Sequence, residues 1–355
     1  MSLSVTPSKG PKGPSWVHEN PYLTIGWEET SESGAPSLKH SAMRQTLSDQ
    51  SILTPELFAN VPWTIAKYLW DCLGKSNKRT LYIWKLLVTA YPSYFREISR
   101  YRLMKIEGPR MPIRDYLDQV KSDTLHWGVT LTLFTSFASV PELVEIANVK
   151  NLVALELNTS SELETFSNET DLPMTALNDR IVRTWSELAT SGAFAHLRVL
   201  RISHQKQVSP VILRFLRSFP SLRLLVICDC PNIGRLFKKS SKAIEGWQPA
   251  DILVGENDSN AAHDKLYGCY RASFATDEDM KVPDVPILSF QVGREMRRST
   301  NTPSFDTIYL VRQGHPEHET PEPAAKRQKV PGKHSRATMR EHKGRNLDSV
   351  LQEFL

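Results

Sequence analysis

Cysteine is scarce in this chain and irregularly placed. Cys72, Cys228, Cys230 and Cys269 are the four thiols in 355 residues, which provides no disulfide framework. Cys228 and Cys230 have no second Cys or His pair at zinc-ligand distance, so no metal is expected. No stretch approaches the roughly 20 apolar residues of a membrane span, and the opening MSLSVTPSKGPKGPS lacks the apolar core of a secretion signal. These absences predict a soluble, reduced, intracellular protein with no membrane partner. Catalytic signatures are missing as well: there is no G-x-S-x-G, no G-x-x-x-x-G-K-S/T and no G-x-G-x-x-G after a strand. His315 and His318 stand in H-P-E-H-E, which is not the zinc order H-E-x-x-H, and Pro316 would break a helix there. Acidic runs such as Glu28–Glu29 and Asp277–Glu278–Asp279 fall in polar stretches, where solvated loops are expected. No catalytic residue and no cofactor is expected, and the chain reads as a non-enzyme.

Charge is present but concentrated. The net charge is +5. Residues 324–345 hold Lys326, Arg327, Lys329, Lys333, Arg336, Arg340, Lys343 and Arg345 against Glu341 alone, or +7, which leaves the rest of the chain at 5 − 7 = −2. A near-neutral body argues against a nucleic-acid-binding core, so such contact is expected only non-specifically through the tail. The length suits about two domains, and a 40% hydrophobic content suffices for a sizeable core.

One pattern recurs. Leu197, Leu200 and Ile202 follow L-x-x-L-x-L; Leu222, Leu225 and Ile227 repeat it 25 residues later and run on to Cys230. Leu152, Leu155 and Leu157 carry it upstream, and Gly128, Leu131 and Leu133 make a degenerate copy 24 residues earlier. The gap of 45 residues between Leu152 and Leu197 fits one repeat with an insertion, or two with one unrecognisable. This period and pattern resemble leucine-rich repeats, in which each unit gives one short strand and a return helix or turn. The resemblance implies inward leucines, a structural role for Cys230, and a stacked sheet that binds protein partners. An ordinary α/β domain with leucine-rich buried strands is the alternative. Trp247–Ile252, Val285–Phe290 and Phe305–Leu310 read as further strands at irregular distance.

Upstream lies a dense helical block. Thr54, Pro55 and Glu56 supply a capping hydroxyl, a first-turn proline and early negative charge. Pro62–Trp63 restart a helix whose apolar stripe is Ile65, Leu69, Cys72 and Leu73, with Gly74 as the expected stop. A third stripe, Leu81, Trp84, Leu87, Val88 and Tyr91, runs to Pro92. Leu53, Pro55, Glu56 and Leu57 as an opening, with Leu81 and Trp84–Lys85 as a close, resemble an F-box over roughly 40 residues. Pro62 departs from the family's usual first helix. That resemblance, followed by leucine-rich repeats, implies a substrate receptor of a cullin–RING ubiquitin ligase. Leu53, Pro55, Glu56, Leu57, Leu81 and Trp84 would then contact a Skp-family adaptor, while the repeats hold a substrate protein of unknown identity. The alternative is a helical cap on the first repeat.

Near the C-terminal end, Pro323–Val330 resembles a Myc-type nuclear import signal, which implies importin α as a partner of Lys326, Arg327 and Lys329 and a nuclear location, shared or not with the cytoplasm. A solvated charge run is the bland alternative. Leu347, Val350, Leu351, Phe354 and Leu355 then fall on one helical face, which would fold only on a surface of the body or of a partner. The expected layout is a mostly disordered segment 1–50 with room for a short stretch docked on the body, an F-box-like block 51–105, an irregular leucine-rich-repeat-like α/β arc 106–312, a disordered basic tail 313–346 and a short amphipathic helix 347–355.

Overall fold

The computed structural model describes residues 18–23, 37–159, 175–239, 242–250, 265–275, 282–293 and 307–313. Among them the chain is α/β, with helices around one mixed eight-stranded sheet.

The N-terminal helices are α1 (Leu38–Leu47), α2 (Pro55–Phe58), α3 (Trp63–Lys75), α4 (Leu81–Ala90) and α5 (Pro92–Ile98). Within the segment 1–50, Ser37 caps α1 by accepting from the His40 amide at 3.2 Å, and Leu47 is buried. Gly74 does not stop α3, which continues to Lys75. It is small because the Arg79 guanidinium lies where a Cβ would be. Arg79 reaches past it to the Trp70 ring at 4.5 Å and donates to the Trp70 carbonyl at 3.0 Å. The block closes around Phe95, whose ring meets Trp70 at 4.9 Å, Trp63 at 6.3 Å and Trp84 at 6.4 Å. Tyrosine hydroxyls tie the turns to this core: Tyr82 donates to the Leu53 carbonyl and Tyr91 to that of Val61, each at 2.5 Å.

The strands are β1 (Tyr101–Ile106), β2 (Gly128–Phe134), β3 (Leu152–Asn158), β4 (Val199–Ser203), β5 (Leu224–Cys228), β6 (Trp247–Pro249), β7 (Ile287–Val292) and β8 (Thr307–Arg312). Their order in the sheet is β1-β7-β2-β3-β4-β5-β8-β6. The first six run parallel, while β8 is antiparallel to both β5 and β6. The four recurring segments are thus consecutive neighbours, β2 to β5, and their leucines align in register. Leu131, Leu155, Leu200 and Leu225 form one row; Leu133, Leu157, Ile202 and Ile227 form the next. All eight are buried, as are Leu152, Leu197 and Leu222 at the head of each unit. The later segments depart from chain order. β7 returns to fill the place between β1 and β2, and β8 reverses direction.

Helices α6 (Ile113–Val120), α7 (Val140–Glu145), α8 (Asp179–Thr190), α9 (Ile212–Phe215) and α10 (Pro231–Lys239) connect these strands. Each has a start signal or an amphipathic stripe that fits. Asn178 caps α8 by accepting from the Ile181 amide at 3.1 Å, and Ser139 and Glu142 form a capping box on α7. The apolar stripes of α6 to α10, including Leu117, Leu143, Trp185, Leu213 and Ile233, share one core with the repeat leucines. All five helices therefore lie on the same face of the sheet. The opposite face carries α11 (Lys265–Ala275), whose Leu266, Cys269, Tyr270 and Phe274 pack on Val153, Val199 and Leu224.

The block 51–105 and the stretch after it are continuous in this core. β1 straddles the expected boundary at residue 105, and Trp84 meets Trp127 at 5.7 Å. Residues 106–124, read as a connection, include α6, which Lys85 fastens by donating to the Gln119 carbonyl at 2.7 Å. Burial lowers the Lys85 pKa.

Candidate protein-interaction surfaces

Alternation along a strand sends the residues between the leucines to the outer face. Register sets Lys105, Gln291, Thr132, Glu156, Arg201, Val226 and Tyr309 side by side across seven strands. In the middle of that row Arg201 Nε lies 3.1 Å from Glu156 Oε1, with side-chain exposures of 13% and 12%. The N–H is not aimed along a hydrogen bond, so charge rather than direction holds this contact. Burial is the largest single influence and acts to lower the Arg201 pKa, but the Glu156 carboxylate together with Cys228 and Cys269 outweighs it and the net shift is upward. Thr132 and Ser203 hydroxyls each donate to Glu156 at 3.4 Å. The cluster answers its own charges, and it lacks the pair of groups held in different protonation states that acid–base chemistry requires.

Toward the N-terminal ends of the strands the outer face is sealed by α11. Arg198 Nε donates to Ser273 Oγ at 3.1 Å and its other arm to the Ser273 carbonyl at 3.0 Å, while the guanidinium stacks 4.0 Å over Phe274. Cys228 faces this side but is covered, and Thr307 Oγ1 is 3.5 Å from its sulfur. Beside α11 a cavity of about 350 Å³ opens. Its floor is Gly128, Asn151 and Val153, its walls include Trp127, Tyr270 and Phe274, and His196, Arg198 and Ser221 lie along it.

The repeat geometry extends beyond the leucines. Cys230, three residues after Ile227, donates its S–H toward the Cys228 and Ile202 carbonyls at 3.5 and 3.7 Å, and burial pushes its thiol up to about 12. The same place after Ile202 is Gln205, fully buried, which accepts from the Leu177 amide at 2.9 Å and donates to Thr159 Oγ1 at 2.5 Å. Phe194 and Phe219, 25 residues apart and each three before a leading leucine, face one another at 5.0 Å. His204 and Asp229, also 25 apart, share a left-handed backbone (φ 57° and 50°) and bond at 2.9 Å. Sequence reasoning singled out Cys230 and passed over the others, yet the F-x-x-L-x-x-L spacing and the polar residue three beyond the last apolar one were there to find. Asn151 was missed too: it accepts from the Ser122 amide and donates to the Val120 and Trp127 carbonyls, pinning the entry to β2.

No family model, characterised protein or solved structure matches this chain. The geometry alone must therefore carry its reading. Among the described residues no three His, Cys, Asp or Glu side chains gather as metal ligands, and no helix is long and apolar enough to cross a membrane.

The six residues of the F-box-like pattern divide. Leu53, Leu81 and Trp84 are 5%, 1% and 0% exposed, so they are core and cannot be reached by an adaptor in this conformation. Pro55, Glu56 and Leu57 are exposed, Leu57 at 57%, and Ile65 and Tyr94 are open on the same block. The reason is a distant contact: Leu81 starts α4 beneath a strap formed by residues 18–22. Glu19 accepts from the Leu81 amide and pairs with Arg102, and His18 bonds Tyr116 at 2.9 Å. Burial raises the Glu19 pKa and lowers that of Arg102, in each case against the attraction of the partner. This pair therefore fixes where the strap lies more than it strengthens it. Lys326, Arg327 and Lys329, and the segment 347–355, lie outside the described residues.

Proposed function

We propose that this chain is a non-enzymatic protein-interaction module of the leucine-rich-repeat kind, capped at its N-terminal end by the helical block. The observation that carries the reading is the row of aligned leucines on β2 to β5, with the helices that connect those four strands, α7, α8 and α9, all on one face. A doubly wound sheet would distribute its helices over both faces. Four such units with their returns on one side leave for partners the part of the other face that α11 does not cover. The second reading, an F-box-like substrate receptor of a cullin–RING ligase, is favoured by one feature: Pro55, Glu56 and Leu57 project from the block with Leu57 more than half exposed. The tail with Lys326, Arg327 and Lys329 supports action in the nucleus through importin α in either case.

Capture of the full chain by a purified Skp-family adaptor separates the two. Binding that Leu57→Asp abolishes, with the fold unchanged, selects the receptor. Absence of binding to the full chain, and to a chain lacking residues 1–35 in which the strap is gone, selects the cap.

A further inference from the structure

The two ends of the sheet are finished differently. At one end, the Ala250 and Gln313 amides donate to the Tyr309 and Gly246 carbonyls between β6 and β8, so Trp247 and Pro249 are the residues of β6 that turn their backbone outward. Trp247 exchanges backbone hydrogen bonds with Ile244, each at 2.9 Å, and Pro249 has no N–H to offer. That edge is closed to further pairing. At the other end, the Arg100 and Ile106 carbonyls accept from the Ile287 and Gly293 amides at 2.7 and 2.8 Å. Even-numbered residues of β1 therefore bond to β7, and Leu103 and Lys105 turn their backbone away from it. Their outward N–H and C=O groups meet no partner among the described residues. Both residues are exposed, Leu103 at 37%. The strap passes on the inner side, where Glu19 holds Arg102, and leaves these two residues open.

We infer that β1 is the contact between two copies of this chain, paired antiparallel about a twofold axis at Leu103. A strand that pairs with its own copy must be self-complementary, and the charges of β1 choose the centre. About Leu103, leucine faces leucine, Lys105 faces Tyr101 and Arg102 faces Met104, so no two like charges stand directly across. About Arg102 the two arginines would face each other. About Met104 the two Lys105 ammonium groups would be diagonal neighbours. The Tyr101 ring leans on Tyr267 at 4.9 Å, which fixes a face for the Lys105 ammonium of the other copy. Arg102 keeps Glu19 as its counter-ion. The product is one continuous sheet through both copies, with their outer faces on the same side.

The test uses the full chain. One added strand buries less than a standard interface, so sedimentation should show a dimer with a Kd of about 1–100 μM. Leu103→Lys places two like charges at the axis and should weaken it by about tenfold. Leu103→Pro removes an outward N–H alone and should do the same; neither change should move the thermal midpoint, because the position is exposed. Cysteine reads the register. At the axis the paired Cα atoms are about 5.5 Å apart, within disulfide reach, whereas the two Lys105 positions are roughly 14 Å apart. The four natural cysteines are buried. Mild oxidation should therefore give Leu103→Cys a disulfide dimer in about tenfold higher yield than Lys105→Cys. A chain that stays monomeric at about 500 μM overturns the inference. So does a dimer that survives both Leu103→Lys and Leu103→Pro, or an equal yield from the two cysteine variants.

Discussion

The two faces of the sheet obey different rules. On the inner face, rows of leucine from four consecutive units meet five helices, and every one of those side chains is sealed from water. On the outer face the same strands present Thr132, Glu156, Arg201 and Ser203, covered in part by one helix from much later in the chain. The inner face needs only apolar volume in register, and its period is therefore strict. The outer face must satisfy charge and direction residue by residue, so its pattern does not repeat. Periodicity marks what holds this protein up; departures from it mark what is particular to it.

Leu225→Ala is the hardest blow to the inner face. Loss of a fully enclosed leucine should cost about 4 kcal/mol and lower the thermal midpoint by well over 10 °C, read by circular dichroism. A small shift would show that the stack relaxes around the gap and that the two faces differ less than their packing implies. Glu156→Gln strikes the outer face. It leaves Arg201 charged and without its carboxylate, at a cost of about 3 kcal/mol. The double change Glu156→Leu with Arg201→Met should recover most of that loss, which no replacement at Leu225 other than another large apolar residue would do.

Leu57→Asp should alter stability by less than about 0.5 kcal/mol, because the side chain touches solvent, while Trp84→Ala should cost about 3–5 kcal/mol. Equal effects would mean that the helical block is packed differently from its contacts. The smallest effect concerns the strap. A carboxyl whose folded pKa is raised contributes stability that is full below the unfolded value, about 4.5, and lost as pH rises through the folded value. Unfolding followed from pH 4 to 7 should therefore show a slight decline that Glu19→Gln flattens. An opposite slope removed by that substitution would show that the attraction of Arg102 outweighs burial.

How much of this was legible in the chain depends on range. The leucine rows were, because a unit of about 25 residues repeats its own local rule. Cys230 was legible from the same rule; Gln205 was not, since glutamine there replaces the expected Asn or Cys and meets the need with a longer side chain. The F-box-like pattern identified apolar residues of a helical block but not which of them face outward. Leu53 and Leu81 are held by Tyr82 and by a strap whose Glu19 lies 62 residues upstream of Leu81, and no local spacing records that. The place of β7 was hidden for the same reason. Ile287–Val292 is an apolar run suited to any buried parallel strand, and its neighbours are chosen by the vacancy between β1 and β2. The helix α11 hides behind a short stripe, Leu266, Cys269, Tyr270 and Phe274, whose target is on strands of three different units.

That late strand has a consequence for biosynthesis. β1 and β2 do not touch as neighbours; each is hydrogen-bonded to β7. Until residue 292 has emerged from the ribosome, the N-terminal helices and the repeat stack each present an open β edge with nothing between them. A nascent chain stalled or cleaved before that point would carry unpaired edges at β1 and β2, and at β5 where β8 has yet to add, the kind of surface that recruits chaperones or joins a second chain. Joining the two parts is then the insertion of one six-residue strand, and the age of a newly made molecule could be read from whether the amides of Ile287–Val292 are protected from exchange.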